Sequence, residues 1–312
     1  MQKVKKFIPY LSLFTIVFAM ACFLAFPARY TGLVLEGATL FAVCVLPATL
    51  PFLFLTAILT RQKAFGRVAG KIAPLAKKAF RVSGAGGLCA VLSALSGYPV
   101  GARTVYDLRA RGAISDQETF RLACLASTSG PMFLVGAVGA GMFASSAIGW
   151  VLFASHLIGV YTVCFVLRFT AKKTTASTLP LPALNNGGGN PLMDSVLSVL
   201  AVGGAIAIFY AFSGILCDAL KLAGIDNQLI RATVTGLVEM TSGCKLLSEA
   251  ANIYAVALSA FLVTFGGGCV LVQQLSFLTR AGVKALPFIG IKLLQGMIAA
   301  LAALALSAPI FL

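Results

Sequence analysis

Four short strings set small polar residues and glycines inside apolar surroundings, and these are where the chain could do chemistry. The first is Ser96-Gly97-Tyr98-Pro99-Val100-Gly101, followed by Arg103 and Asp107. The second is Ser127-Thr128-Ser129-Gly130-Pro131. The third is Glu239-Met240-Thr241-Ser242-Gly243, followed by Lys245 and Glu249. The fourth is Phe265-Gly266-Gly267-Gly268-Cys269, followed by Gln273 and Gln274. Gly and Pro break helices and free backbone N–H and C=O groups, which cannot face lipid and must meet protein, water or a solute. A glycine run such as 266–268 serves close helix packing equally well. All four strings together favour a solute site. Glu239 is the best candidate for an essential ionisable group, able to bind a cation, carry a proton or pair with a base, because a carboxylate at depth is costly unless used. Arg103 and Lys245 precede Asp107 and Glu249 by four residues, a spacing that suits structural pairing and leaves an anion-binding role open.

Nothing in the sequence forms a catalytic constellation. There is no P-loop, G-x-S-x-G or H-E-x-x-H string, and no His is placed to serve Ser96, so the chain does not read as an enzyme. The eight cysteines at 22, 44, 89, 124, 164, 217, 244 and 269 form no C-x-x-C pair and lie in apolar stretches. They read as small core residues, with neither a metal site nor a cofactor expected. The single His156, also in an apolar run, reads as a packed or hydrogen-bonded side chain.

The elements that must position these strings are membrane helices. Of the 312 residues, 59% are hydrophobic and 11% charged, against about 25% charged in ordinary soluble domains. Mean hydropathy is +0.97. A soluble enzyme, a disordered chain and a disulfide scaffold are thereby excluded, and a β-barrel would show short alternating segments instead. The net charge of +15 sits between the apolar runs, which points to topology and anionic lipid rather than nucleic acid. Apolar runs fall at 7–26, 31–60, 82–107, 117–143, 147–168, 191–220, 251–279 and 285–308, with a shorter mixed segment at 232–249. The stretch 61–81 carries seven Lys and Arg and reads as a weakly amphipathic cytoplasmic surface helix. Residues 169–190 form a linker on the same side. Glu36, Asp218, Tyr30 and Trp150 read as interfacial.

If 82–107 crossed fully, Arg109, Arg111, Arg168, Lys172 and Lys173 would lie outside, against the positive-inside rule. If 82–107 and 232–249 both dip in and return, all these bases face the cytoplasm, as do Arg280 and Lys284, and the N-terminus is inside. Gly101, Arg103 and Asp107 recur as Gly243, Lys245 and Glu249, each 142 positions on. The expected fold is therefore an all-α polytopic membrane protein, a single membrane domain over 1–312. It is built as an inverted repeat of helix–re-entrant hairpin–helix units, with about seven crossings plus two hairpins, the repeats covering 31–146 and 191–279.

The strings Ala94-Leu95-Ser96-Gly97-Tyr98-Pro99-Val100-Gly101-Ala102-Arg103, Leu125 to Phe133 and Gly236 to Gly243 resemble the YlbJ (SpoVV) family of sporulation integral membrane proteins over roughly 31–305. The resemblance implies Gate-type repeats of the kind found in concentrative nucleoside and ferrous-iron transporters. It also implies a role in endospore formation and the movement of dipicolinate across the outer forespore membrane, if the source forms spores. Ser127 and Ser129 depart from a commonly Asn-containing string, and 266–268 is richer in glycine than the family pattern. The expected protein is then an integral protein of the bacterial cell membrane that carries a small anionic solute. Its partners would be that solute and the lipid bilayer, and a homo-oligomer is compatible with the sequence. Contacts with the solute are expected from Ser96, Gly97, Tyr98, Pro99, Gly101, Arg103, Ser127, Thr128, Ser129 and Gly130 in the first half. In the second half they are expected from Glu239, Thr241, Ser242, Gly243, Lys245, Gly267 and Gln273. The alternatives are a non-transporting sporulation scaffold and a nucleoside or metal-ion carrier.

Overall fold

A computed structural model describes residues 2–59, 62–170, 190–250 and 252–311. Among them every regular element is helical. Among the described residues five helices are long and apolar enough to cross a membrane: Pro27–Leu55, Ser146–Thr170, Pro191–Leu222, Ile253–Leu278 and Ala285–Phe311. They match the expected crossings at 31–60, 147–168, 191–220, 251–279 and 285–308. The chain is a polytopic helical membrane protein. The expected first crossing, 7–26, falls within α1 (Gln2–Ala25), whose apolar part among the described side chains is Leu13–Ala25. The expected crossing at 117–143 is interrupted: α7 (Asp116–Leu125) ends, residues 127–130 are non-helical, and a π-helix runs Met132–Met142. The linker expected at 169–190 lies, over 171–189, outside the described residues.

The first half continues with α2 (Pro27–Leu40), a short π-helical turn at Phe41–Val45, and α3 (Leu46–Leu59). Next is α4 (Lys63–Phe80), more strongly amphipathic than the sequence led us to expect. It meets α5 (Gly84–Ser96) at an angle of 91°. Pro27 opens α2 where its missing N–H costs nothing. Ser83 caps α5 by accepting from Gly86 N, and Ser115 caps α7 by accepting from Glu118 N. After α6 (Tyr98–Ala110) and α7 comes α8 (Ser146–Leu167), capped by Ser145.

In the second half α9 (Pro191–Leu222) is followed by α10 (Gln228–Val238), α11 (Met240–Ser248), α12 (Ile253–Phe265), α13 (Gly267–Leu278) and α14 (Ala285–Phe311). Asn190, Asn227 and Asn252 cap α9, α10 and α12 through their side-chain oxygens. The α2–α3 run packs along α9, while α14 packs between α8 and α12. Tyr30, expected at the interface, is instead buried, its hydroxyl 3.4 Å from Asp218 Oδ2, and Asp218 is held by Arg29.

Two pairs of successive helices, α5 with α6 and α10 with α11, are in contact across a short turn. Between α5 and α6 the chain turns at Gly97, with φ of 93°. A side chain is strained there, so glycine is the natural residue. Cys89 and Ser93 on α5 then lie against Gly101 on α6. Between α10 and α11 the turn is at Glu239, and Gly236 faces Gly243 across the pair.

Candidate functional site

Both turns arrive at the same place. Ser96, Gly97 and Tyr98 from the first, and Glu239 and Thr241 from the second, line one cavity of about 70 Å³. Ser129 and Gly130 from the break after α7, Gln273 from α13 and Thr49 from α3 also line it. The rest is apolar, mostly from α3, α9 and the π-helix, Phe52, Val199 and Phe133 among them. Eight of the expected contact residues are thus brought together, although they come from four separate strings.

The two turns seat against the two breaks in the same way. A Cβ on Gly130 would stand 2.9 Å from Leu95 O, just before the first turn. A Cβ on Gly267 would stand 2.8 Å from Gly236 O and 3.3 Å from Met240 N, around the second. Gly267 also has φ of 62°, so close approach and conformation both call for glycine. The corresponding contacts tie each turn to the helix break that follows it.

Glu239 is 1% exposed. Its carboxylate accepts from Thr241 N at 2.9 Å and Ser242 N at 2.6 Å, which caps α11 and satisfies two otherwise open donors. An acidic group at this helix N-terminus is also favoured by the helix dipole. Ser242 Oγ donates to Glu239 O at 2.7 Å and lies 3.1 Å from Ser213 Oγ. Glu239 is therefore both a cavity-lining carboxylate and the cap of its own helix.

Behind the cavity a buried polar network binds the two breaks. Ser129 N donates to His156 Nε2 at 2.9 Å, and His156 Nδ1 lies 2.9 Å from Thr264 Oγ1. His156 is fully buried, as expected of a hydrogen-bonded core histidine. The Tyr98 hydroxyl donates to Val263 O, and Ser127 Oγ donates to Gln274 Oε1. Thr128 Oγ1 donates to Ser93 Oγ at 2.9 Å, and Ser93 Oγ to Ala126 O. Ser127 and Thr128 thus support the break rather than face the cavity. Pro99 occupies the first turn of α6.

The two expected bases lie elsewhere. Arg103 lines a neighbouring groove of about 520 Å³ with Asp107, Asp194 and Ser276; the groove shares Leu53, Val202 and Gln273 with the cavity. Lys245 is exposed in a separate groove beside Glu36 and Glu249. Neither base forms an ion pair with its i+4 acid among the described residues.

Sequence reasoning passed over Lys292, Gln295 and Ser93. Lys292 on α14 is fully buried. Its ammonium donates to Ser127 O at 3.0 Å and lies 5.1 Å from the centre of the Tyr98 ring. Gln295 Nε2 donates to Cys124 O at 3.1 Å. The signal for Lys292 was present, since it is the one charged residue within the run 285–308.

No protein-family model matches the chain, and no solved structure matches it. It is 27% identical to the sporulation integral membrane protein YlbJ of Bacillus subtilis (strain 168), over an alignment of 325 positions that covers 92% of this chain and 78% of that protein.

Proposed function

We propose that the chain is a sporulation-linked membrane transporter or facilitator for a small anionic solute, with dipicolinate the leading substrate. The observation that carries the solute site is a pair of buried hydroxyls. Ser96 Oγ and Thr241 Oγ1 line the cavity from opposite turns, and neither has a hydrogen-bond partner among the described residues. Buried polar groups are rarely left unmet, and a solute passing between the turns would meet both. The anionic character of that solute rests on Arg103 in the adjoining groove and on the basic excess of the chain. The sporulation context rests on the similarity to YlbJ.

A cavity of about 70 Å³ is far below the roughly 300–1,000 Å³ of a small-molecule pocket. In this reading the conformation is an occluded one, and the turns part to admit solute from the Arg103 groove. The inverted repeat belongs to the same proposal. His156 and Lys292 are 136 positions apart, as are Gly130 and Gly266. His156 touches both breaks, at Ser129 and Thr264, and Lys292 touches the first at Ser127.

Labelled dipicolinate should enter proteoliposomes carrying the protein faster than empty liposomes. Ser96→Ala with Thr241→Ala should slow subsaturating uptake by about 10-fold, the effect of roughly 1.4 kcal/mol of lost hydrogen bonding. Flux no greater than in empty liposomes would end the dipicolinate reading. For the topology, a single cysteine at position 111 on a cysteine-free background is expected to label only from the cytoplasmic side. Labelling from outside would rule out re-entry of the first turn.

A further inference from the structure

A helix that stops inside a membrane protein leaves carbonyl oxygens at its C-terminal end, and these carry the negative end of the helix dipole. In transporters with broken helices such ends are where small cations are coordinated. Here α7 stops at Leu125, and the chain from 127 to 130 is non-helical. The freed carbonyls are met by side chains from two other helices. Cys124 O takes Gln295 Nε2, Ala126 O takes Ser93 Oγ, and Ser127 O takes the Lys292 ammonium. The ammonium is fully enclosed, with the face of Tyr98 on one side. No carboxylate forms an ion pair with it among the described residues. The other titratable groups around it are the thiols of Cys124 and Cys164 and the imidazole of His156. Gln295 Oε1, on the same helix, is buried with no partner among the described residues.

We propose that Lys292 is a resident cation: its ammonium fills, on the open end of α7, a site for a small monovalent cation. The donors and acceptors support this assignment together. A carbonyl oxygen and an aromatic face both attract a cation without carrying a formal negative charge. A neutral side chain of equal length would leave Ser127 O bare in a closed interior. The consequence is that the end of α7 stays organised whether sodium is present or not. The inference concerns folding of the chain itself and stands apart from the identity of the transported solute.

The test is thermal unfolding of the purified full chain in detergent, in choline chloride, sodium chloride, n-propylammonium chloride or 1-propanol. n-Propylammonium restores the atoms removed by Lys292→Ala. The unsubstituted protein should melt at one temperature in all four. Lys292→Ala should melt about 5 °C lower in choline chloride, recover most of that loss in n-propylammonium and part of it in sodium chloride, and recover none in 1-propanol; no gain in sodium would overturn the cation site. Equal rescue by the alcohol, or no rescue by either, would overturn the assignment. If Lys292→Ala does not accumulate, Lys292→Met decides: it should melt below the unsubstituted protein, and equal melting would show that only volume is required.

Discussion

Glu239→Ala should lower the stability of the protein by about 2–4 kcal/mol and reduce solute uptake to background. Truncation takes away the acceptor of both Thr241 N and Ser242 N, in a place reached by no bulk water. Losing a side-chain cap costs about 0.5–2 kcal/mol, and each buried donor left open adds about 1–3 kcal/mol. Two further substitutions separate capping from transport. Glu239→Asp keeps a good capping carboxylate and should melt close to the unsubstituted protein. Glu239→Gln keeps one acceptor oxygen, so it should remain folded and inserted while losing uptake, because the charge facing the cavity is gone. Melting temperature and uptake at equal membrane abundance are the two measurements. Normal uptake by Glu239→Gln would show that Glu239 serves as a cap alone.

An equally large effect is expected from a single methyl group at Gly101. A Cβ there would stand 2.0 Å from Ala126 O and 2.3 Å from Ser93 Oγ. The first is backbone, and the second is fixed by its own bond to that same oxygen. Neither can yield without moving α6 away from the end of α7. Overpacking of this kind commonly costs about 1–3 kcal/mol, and more where backbone must shift, so Gly101→Ala should cost about 3 kcal/mol or more. Gly204→Ala is the control: it lies mid-helix on α9 with nothing within 4 Å of the added carbon. It should be neutral or stabilising by up to about 1 kcal/mol. Comparable losses from both substitutions would show that the close approach at Gly101 is not what sets its cost.

The sequence made the breaks legible because Gly, Pro and clustered Ser or Thr interrupt apolar runs at Gly97, 127–131, Glu239 and Gly266. It also marked five of the crossings, each a run long enough to span. Arg103 and Lys245 lie off the cavity for a reason in helix geometry. Each follows a packed glycine by two residues, and successive residues are turned by about 100° on a helix. Two steps carry a side chain to nearly the opposite face, so each base points away from the close contact its glycine makes. Lys292 was hidden by averaging, since Ile291, Leu293 and Leu294 around it keep the run apolar. The π-helix at Met132–Met142 has no local sequence rule to betray it. Its turns are set by packing against α8 and α3, which a single string does not encode.

The contact between Lys292 and Ser127 spans 165 residues of chain, and this separation has a consequence for biosynthesis. Chains emerge from the ribosome at about 5–20 residues per second, N-terminal parts first. The carbonyls at the end of α7 are therefore made many seconds before the helix that will supply two of their donors. Until α14 arrives, the nascent protein holds an open, electronegative end in its interior. A lysine within a span resists insertion, by up to about 2.5–3.5 kcal/mol at the centre, and Lys292 lies in the first third of α14. That cost is relieved only on docking against the waiting oxygens. Ribosomal stalling or cleavage ahead of α14 thus leaves a half-closed product with unmet polar groups, the kind of defect on which membrane quality-control proteases act.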